Sequence, residues 1–381
     1  MRPESMSLFD RLSEKSQLEI ETAKEVGTKV VGLYCTFAPK ELVRAVGAIP
    51  VGLCGKDQTP IRDAETILPA NLCPLIKSSY GYAITNTCPY FYLSDFLIGE
   101  TTCDGKKKMF ELLGQLKPLF LMHLPPCCDE NRSLNYWVGE VIRLKDFLER
   151  QTGTKIGEEE LSRQIKIHNK KRVLLKEIVG YCANYPVPIS GTDMMVVMES
   201  RNFLVDIEGY INNLQRLARE LQAIKREGRS VCSPDAPRIL LTGCPVGKGS
   251  EKVLRIIEEC GGVVVCQEHC TGIKSFNLLV DEDDAPYKAI AHRYLKTPCS
   301  CMTPNQGRIE LLCQLIEDFK IQGVVDLTWQ CCHTYNVESY LIKTFLEKRY
   351  QIPLLHLETD YSESDTGQLK TRIEALLEMF H

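Results

Sequence analysis

At 381 residues the chain is long enough for two domains with a helical piece between them. Hydrophobic residues make up 44% and charged residues 25%, a globular balance that supports a large core, and the formal net charge of −4 argues against a nucleic-acid binder, which carries a basic excess. No run approaches the roughly 18 to 20 apolar residues of a membrane span, and the opening MRPESMSLFDRLSEKSQ lacks the apolar core of a signal peptide, so a reducing cytoplasm is the expected compartment.

Residues 8–26 read as an amphipathic helix, 28–35 (TKVVGLYC) as a strand, 39–47 as a helix and 48–54 (AIPVGLC) as a second strand. A helix is expected over 67–83, around Cys73. The apolar stretch 90–100 (YFYLSDFLIGE) reads as β, 106–116 as a helix and 118–125 (PLFLMHLP) as a strand. From about 134 to 228 the spacing is helical and the charge dense, and the charge runs read as solvated faces. Alternation resumes at 236. Strands are expected in APRILLTG, GVVVCQE, VVDLTWQ and IPLLHLE, with helices between and after them. Short apolar runs alternating with helices imply parallel sheets covered on both faces. The expected architecture is therefore α/β: two flavodoxin- or Rossmann-like lobes with open parallel sheets, residues 1–130 and 231–381, joined by a helical connector over 131–230.

Cysteine is the informative residue, with 18 copies. Stable disulfides are rare in a reducing compartment. Cys182, Cys260 and Cys313 lie in apolar helical patterns and read as small buried hydrophobes. The others cluster. Cys35, Cys103, Cys244, Cys266 and Cys270, and the pair Cys331–Cys332, each follow a predicted strand, at the sheet edge where open α/β folds bind ligands. Thiolates suit zinc, copper(I) and iron–sulfur clusters. The chain has no CxxC pair, so neither a zinc knuckle nor the ferredoxin run is present. Ligands this dispersed fit a cluster clamped between lobes better, although zinc stays open. Cys103 and Cys332 precede predicted helices, whose first N–H groups favour anionic sulfur. The stretch TGCPVGKGS (242–250) follows a strand like a phosphate loop, but three residues, not four, separate Gly243 from Gly247, so ATP hydrolysis by this chain is not expected. His333 is a candidate proton donor or a surface histidine. Glu358, Asp360 and Tyr361 line a pocket or cap a helix, Lys77, Ser78, Ser79 and Tyr80 stand behind Cys73, and Lys106, Lys107 and Lys108 read as a solvated patch that could dock an acidic redox partner.

NLCPLIKSSYG (71–81), GETTCDGKKKMFE (99–111), QCCHTYNVES (330–339) and IPLLHLETDYSESDTGQLKTRIEA (352–375) together resemble the 2-hydroxyacyl-CoA dehydratase and benzoyl-CoA reductase family over nearly the whole chain. The resemblance implies that Cys73, Cys103 and Cys332 hold a [4Fe–4S] cluster whose fourth iron is open to substrate. YCTFAPKEL (34–42), GCPVGKG (243–249), EHCTGIK (268–274) and PCSCMTPNQGR (298–308) are similar to the single-subunit branch called double-cubane cluster proteins. Two subclusters there share a sulfide in an [8Fe–9S] unit with six cysteine ligands. Crest position and motif likeness together name Cys35, Cys270 and Cys301 for the second subcluster, with Cys299, Cys244 and Cys331 in reserve. The resemblance further implies a separate homodimeric ATPase activator carrying its own [4Fe–4S] cluster, small-molecule reduction in a compact pocket, and a homodimer. Two other readings stay open: a 2-hydroxyacyl-CoA dehydratase subunit with one [4Fe–4S] cluster, and a non-catalytic electron carrier or cluster scaffold.

Overall fold

Eight short strands rich in β-branched and aliphatic residues organise the chain. In the computed structural model, which describes residues 2–128 and 131–380, they form two separate four-stranded sheets, parallel throughout. The first half runs α1 (Met6–Asp10), α2 (Leu12–Glu25), β1 (Val30–Leu33), α3 (Lys40–Ala45), β2 (Ile49–Gly52), α4 (Ile61–Ala64), α5 (Pro74–Thr85), α6 (Pro89–Leu93), β3 (Phe96–Glu100), α7 (Asp104–Leu113) and β4 (Leu119–Met122). Four helices follow: α8 (Asn131–Thr152), α9 (Glu158–Gly180), α10 (Gly191–Ser200) and α11 (Ile207–Arg226). The second half runs β5 (Arg238–Gly243), α12 (Lys252–Glu259), β6 (Val263–Glu268), α13 (Pro286–Leu295), α14 (Gln306–Phe319), β7 (Gly323–Trp329), α15 (His333–Tyr350), β8 (Leu354–Thr359) and α16 (Thr366–Glu378).

The sheet orders are β2-β1-β3-β4 and β6-β5-β7-β8. Each is a Rossmann-like half, and the chain reverses direction of growth between β1 and β3 and again between β5 and β7. At such switch points the loops leaving adjacent strands diverge and open a crevice at the carboxyl edge. β1, β3, β6 and β7 are buried along their whole length, as strands covered on both faces must be. One apolar core runs under both sheets, from Ile20, Leu97 and Phe110 to Leu241, Ile257 and Ile373. Each sheet has its own core on the opposite face. Among the described residues no helix is long and apolar enough to cross a membrane.

Several boundaries differ from the sequence reading. The N-terminal helix is two helices hinged at Arg11. The helix expected over 67–83 begins at Pro74, so Cys73 is its N-cap, because proline needs no N–H donor in a first turn. Pro89 likewise starts a helix, so only Phe96–Glu100 of the expected β segment is a strand. The helix α13 has no counterpart in the sequence reading. With the loop after it, through Met302, it leaves the second sheet and packs on the first, Ile290 and Leu295 joining Val31, Phe37 and Trp137 in one core. The charge runs of α9 are not uniformly solvated: His168, Asn169, Lys171 and Arg172 are buried. α9 lies between α3 and α11, so its polar residues on that side face protein, not water.

Candidate functional site: a cysteine-lined cavity

The loops leaving β1, β2, β3, β5, β6 and β7 enclose a cavity of about 1510 Å³. Eleven of the 18 cysteines line it: Cys35, Cys54, Cys73, Cys88, Cys103, Cys244, Cys270, Cys299, Cys301, Cys331 and Cys332. Six of these were expected at strand ends, and all nine candidate ligands, including the reserves, are among the eleven. Cys266 is not. A register shift between Ile239 and Leu240 leaves Val265 unpaired, and Cys266 pairs with Leu240 inside the sheet. Its thiol turns to Cys182, Met194 and Met198, in the core behind the sheet. Cys182 is buried as expected, whereas Cys260 and Cys313 are only half-buried.

Within the cavity the thiols fall into two groups. Cys332, N-cap of α15, is in hydrogen-bonding contact with Cys73, N-cap of α5, and with Cys244, which follows β5. Cys299 is in the same relation to Cys270 and Cys301. Cys35 stands near the second group, and Cys103, N-cap of α7, lies within electrostatic reach of both Cys332 and Cys299. The side chains of Ser300 and Thr334 join the groups, the Ser300 hydroxyl donating to Thr334 Oγ1 at 2.9 Å. The structure thus adds Cys244 to the Cys73–Cys332 pair and Cys299 to the Cys270–Cys301 pair. It also brings Cys54 to the rim, its thiol donating to the Tyr34 carbonyl at 2.7 Å. Cys54 closes the predicted strand 48–54 and so met the strand-end rule without being singled out, whereas nothing in the sequence pointed to Cys88, which loop geometry places.

Electrostatics sets the protonation of this array. Burial pushes the Cys35 thiol up to about 12, against the pull of Lys106, and burial likewise raises Cys103 and Cys244. Cys73, Cys270 and Cys301 are raised because each donates its proton to a central sulfur, Cys332 or Cys299. Those two are lowered by the donated hydrogen bonds; the backbone N–H of Tyr335 adds to the effect at Cys332. Crowded thiols in a low dielectric cannot all ionise without positive charge among them. The nearest side-chain cations are Lys106 and Lys274. Bound iron supplies the missing charge and deprotonates its ligands outright, so the donor set fits an iron–sulfur cluster. Among the described residues no three Cys, His, Asp or Glu converge on one metal ion. A cluster does not require that, because its iron atoms take separate thiolates.

Lys106 is not part of a solvated patch. Its ammonium turns inward to the Tyr34 carbonyl at 3.3 Å, whereas Lys107 pairs with Asp104 and Lys108 with Glu111 at the surface. The other sequence candidates support the cavity from behind or stay outside it. Lys77 is tied to Glu65 at 2.7 Å, and Ser78 and Ser79 hold the loop around Gly55 through the Asp57 carbonyl and the Gly55 N–H. Tyr80 is core. Tyr361 packs edge-on to Trp329 and donates to the Gly55 carbonyl at 3.2 Å, Asp360 caps Ser362, and Glu358 accepts from Asn336. His333 lies at the rim, exposed. In the loop 242–250, Gly247 N–H donates to Ser250, Lys248 N–H to Glu199 and Gly249 N–H to Glu251. Its amides therefore serve the chain's own side chains, not a phosphate.

A buried ionic network, which the sequence reading missed, sets the Cys270 loop against α15. Lys274 bridges Glu268 at 2.9 Å and the Tyr335 hydroxyl at 2.9 Å, with both charges fully buried. Arg308 reaches Glu268, Glu338 and Asp326, and its guanidinium lies over the Tyr335 ring. Asn305 spans Glu338 and the Cys299 carbonyl.

The family model described as 2-hydroxyglutaryl-CoA dehydratase, D-component, matches residues 35–380. A putative dehydratase subunit, YjiM, of Escherichia coli (strain K12) is 43% identical over 98% of each chain. The (R)-phenyllactyl-CoA dehydratase beta subunit of Clostridium sporogenes is 24% identical over 93% of this chain and 92% of its own. A benzoyl-CoA reductase subunit of Thauera aromatica is 20% identical over 63% of this chain and 61% of its own. With the cysteine array on its α/β frame, these matches establish that the chain belongs to the 2-hydroxyglutaryl-CoA dehydratase D-component family.

Proposed function

We propose that the chain is the cluster-bearing reductase component of an activator-coupled system, holding an [8Fe–9S] double cubane between its two sheets. The observation that carries this reading is the convergence of two thiol groups, drawn from both halves of the chain, on a single cavity. Cys73, Cys103 and Cys332 hold one half and Cys35, Cys270 and Cys301 the other. Cys244 and Cys299, each against a member of those sets, are the alternates. When bound, such a cluster supplies low-potential electrons to a substrate. The chain's own part is to position thiolates at three helix N-termini, where N–H groups face sulfur, and to wall the space with Leu33, Leu72, Ile76 and Phe276. His333, at the rim, is assigned to deliver a proton from its imidazole. Electrons arrive from a separate ATP-hydrolysing activator, consistent with a 242–250 loop whose amides are already engaged. One chain supplies both thiol groups, so no second kind of subunit is needed to hold the cluster, and the assembly is assigned as a homodimer.

A second reading has its own support. The cavity, at about 1510 Å³, is wider than the roughly 300 to 1,000 Å³ of ordinary ligand pockets, and two of the relatives are named as dehydratase subunits. A 2-hydroxyacyl-CoA dehydratase subunit with one [4Fe–4S] cluster would be a lyase component, not an oxidoreductase. Iron and acid-labile sulfide on protein purified without oxygen separate the two. About eight irons and nine sulfides per chain support the double cubane, and about four of each support the single one. Cys103→Ala should lose iron; full retention sinks its role as a ligand.

A further inference from the structure

At one end of the same cavity stand five basic side chains: Lys40 on α3, Lys171 and Arg172 on α9, Arg201 after α10, and Arg293 on α13. Lys171, Arg172, Arg201 and Arg293 are each less than 9% exposed. One acid answers them. Glu41 accepts from Arg172 and, at 2.7 Å, from the Tyr294 hydroxyl. Arg201 donates to the Thr271 carbonyl at 2.6 Å and the Cys270 carbonyl at 3.2 Å, and Arg293 to the Leu278 carbonyl at 3.1 Å, neutral partners that leave both guanidiniums without an ion pair among the described residues. Lys40 donates to Asn202 Oδ1 at 2.9 Å. Lys171 donates to nothing among the described residues. The nearby rim carboxylates are engaged elsewhere, Glu199 by Lys56 and Asp10 by Arg2.

Buried charge without a counter-charge costs several kcal/mol per ion, so a fold that gathers five basic side chains around one carboxylate, two of them lysines that burial and their neighbours hold toward the neutral amine, is built to regain that charge when an anion enters. The thiols do not serve the two lysines as that anion; of the five basic side chains only Arg201, beside the Cys270 loop, also feels Cys270. The charges felt by Lys171 are those of Lys40, Arg172, Glu41 and Arg201, with no cysteine among them, and the same holds for Lys40. Burial, followed by repulsion from Arg201 and Arg44, pushes Lys40 down to about 7, and burial with repulsion from Lys40 lowers Lys171. We propose that this chamber binds a compact oxyanion group, phosphate-like or carboxylate, that Lys171 and Lys40 hold with their free N–H donors. Arg201 places the bound group beside the Cys270 loop. The chamber thus deepens the functional reading, since the small molecule that enters the cavity carries the anionic group. Only the step from bound anion to substrate rests on that reading.

Calorimetric titration of the purified chain with inorganic phosphate, sulfate and acetate, at ionic strength held constant with chloride, tests it. Saturable binding of at least one is expected, and Lys171→Met should weaken it about tenfold or more while remaining folded, because it removes a buried amine that has no hydrogen-bond partner among the described residues. Lys40→Gln provides a second variant that retains a polar group beside Asn202. Binding of phosphate or sulfate alone makes the chamber an inorganic or phosphoryl oxyanion site, and binding of acetate alone makes it a carboxylate site. No saturable binding, or wild-type affinity in both variants, overturns the proposal. A chain that binds the oxyanion but contains no iron keeps this inference and loses the functional reading.

Discussion

Glu100 ends β3 with both carboxylate oxygens buried and without a hydrogen-bond partner among the described residues. Burial pushes its carboxyl up to about 8, with Lys106 offsetting part of the effect. Between the ordinary value of 4.5 and about 8 the folded chain keeps a proton that the unfolded chain has lost. Stability is therefore fullest below the unfolded value and falls as pH rises toward 8. In iron-free protein, Glu100→Gln should flatten that decline and raise stability at pH 8 by on the order of 1–3 kcal/mol; parallel pH–melting curves for variant and wild type would refute it. At the rim, His333→Gln should keep full iron content and lower reductive turnover by about 10². Unchanged turnover would return His333 to the role of a surface residue. Gly243, at φ +107°, is a different kind of residue: an added Cβ would lie 2.1 Å from the Leu327 carbonyl oxygen. Gly243→Ala should cost about 1–3 kcal/mol or more in denaturant unfolding, since backbone on β7 cannot step aside. The glycine of this decoy loop thus serves the approach of two strands.

At the scale of elements, the strand-end loops are the working parts. A strand buried on both faces leaves no room for a ligand along its length, and polar residues there, such as Glu268 and Asp326, meet protein partners, so the first free residues at the carboxyl edge carry the function. That rule made Cys35, Cys103, Cys244, Cys270 and Cys332 readable from sequence. It failed at Cys266, because a one-residue bulge in β6 is a property of pairing with β5. The charge run of α9 failed as a solvated face for a related reason. Helical periodicity shows which residues share a face, but not whether another helix covers that face. The link between β6 and α15 carries its own prediction. Lys274→Met would leave Glu268 buried with Arg308 as its remaining cation and remove the bond to Tyr335. A loss of about 3–5 kcal/mol is expected, together with reduced iron retention, since the Cys270 loop and the Cys332 helix meet there. Iron content equal to wild type in a destabilised variant would show that the network supports the fold alone.

Across the whole molecule, one core beneath both sheets and a segment crossing from one half to the other bind the two thiol groups into a single body. Metal binding to preorganised ligands adds its free energy to folding. Iron-loaded protein should therefore melt at a higher temperature than protein stripped by a chelator under the same anaerobic conditions. Equal melting points would mean that the thiols hold nothing in the loaded sample. The sequence by itself determined the α/β class, the eight strands and most of the cysteines that reach the cavity, because burial periodicity and strand-end position are local properties. It also carried the family, through motifs spread over nearly the whole chain. Only the tertiary structure decided which thiols touch. Cys299 and Cys301 meet Cys270, and stand near Cys35, because α13 packs on the far sheet, and Cys244 meets Cys332 because β5 and β7 are neighbours. The basic chamber was likewise beyond reach of the sequence. Its cations come from α3, α9, α10 and α13, four elements dispersed along the chain, and an uncompensated charge is visible only once the water around it has been replaced by protein.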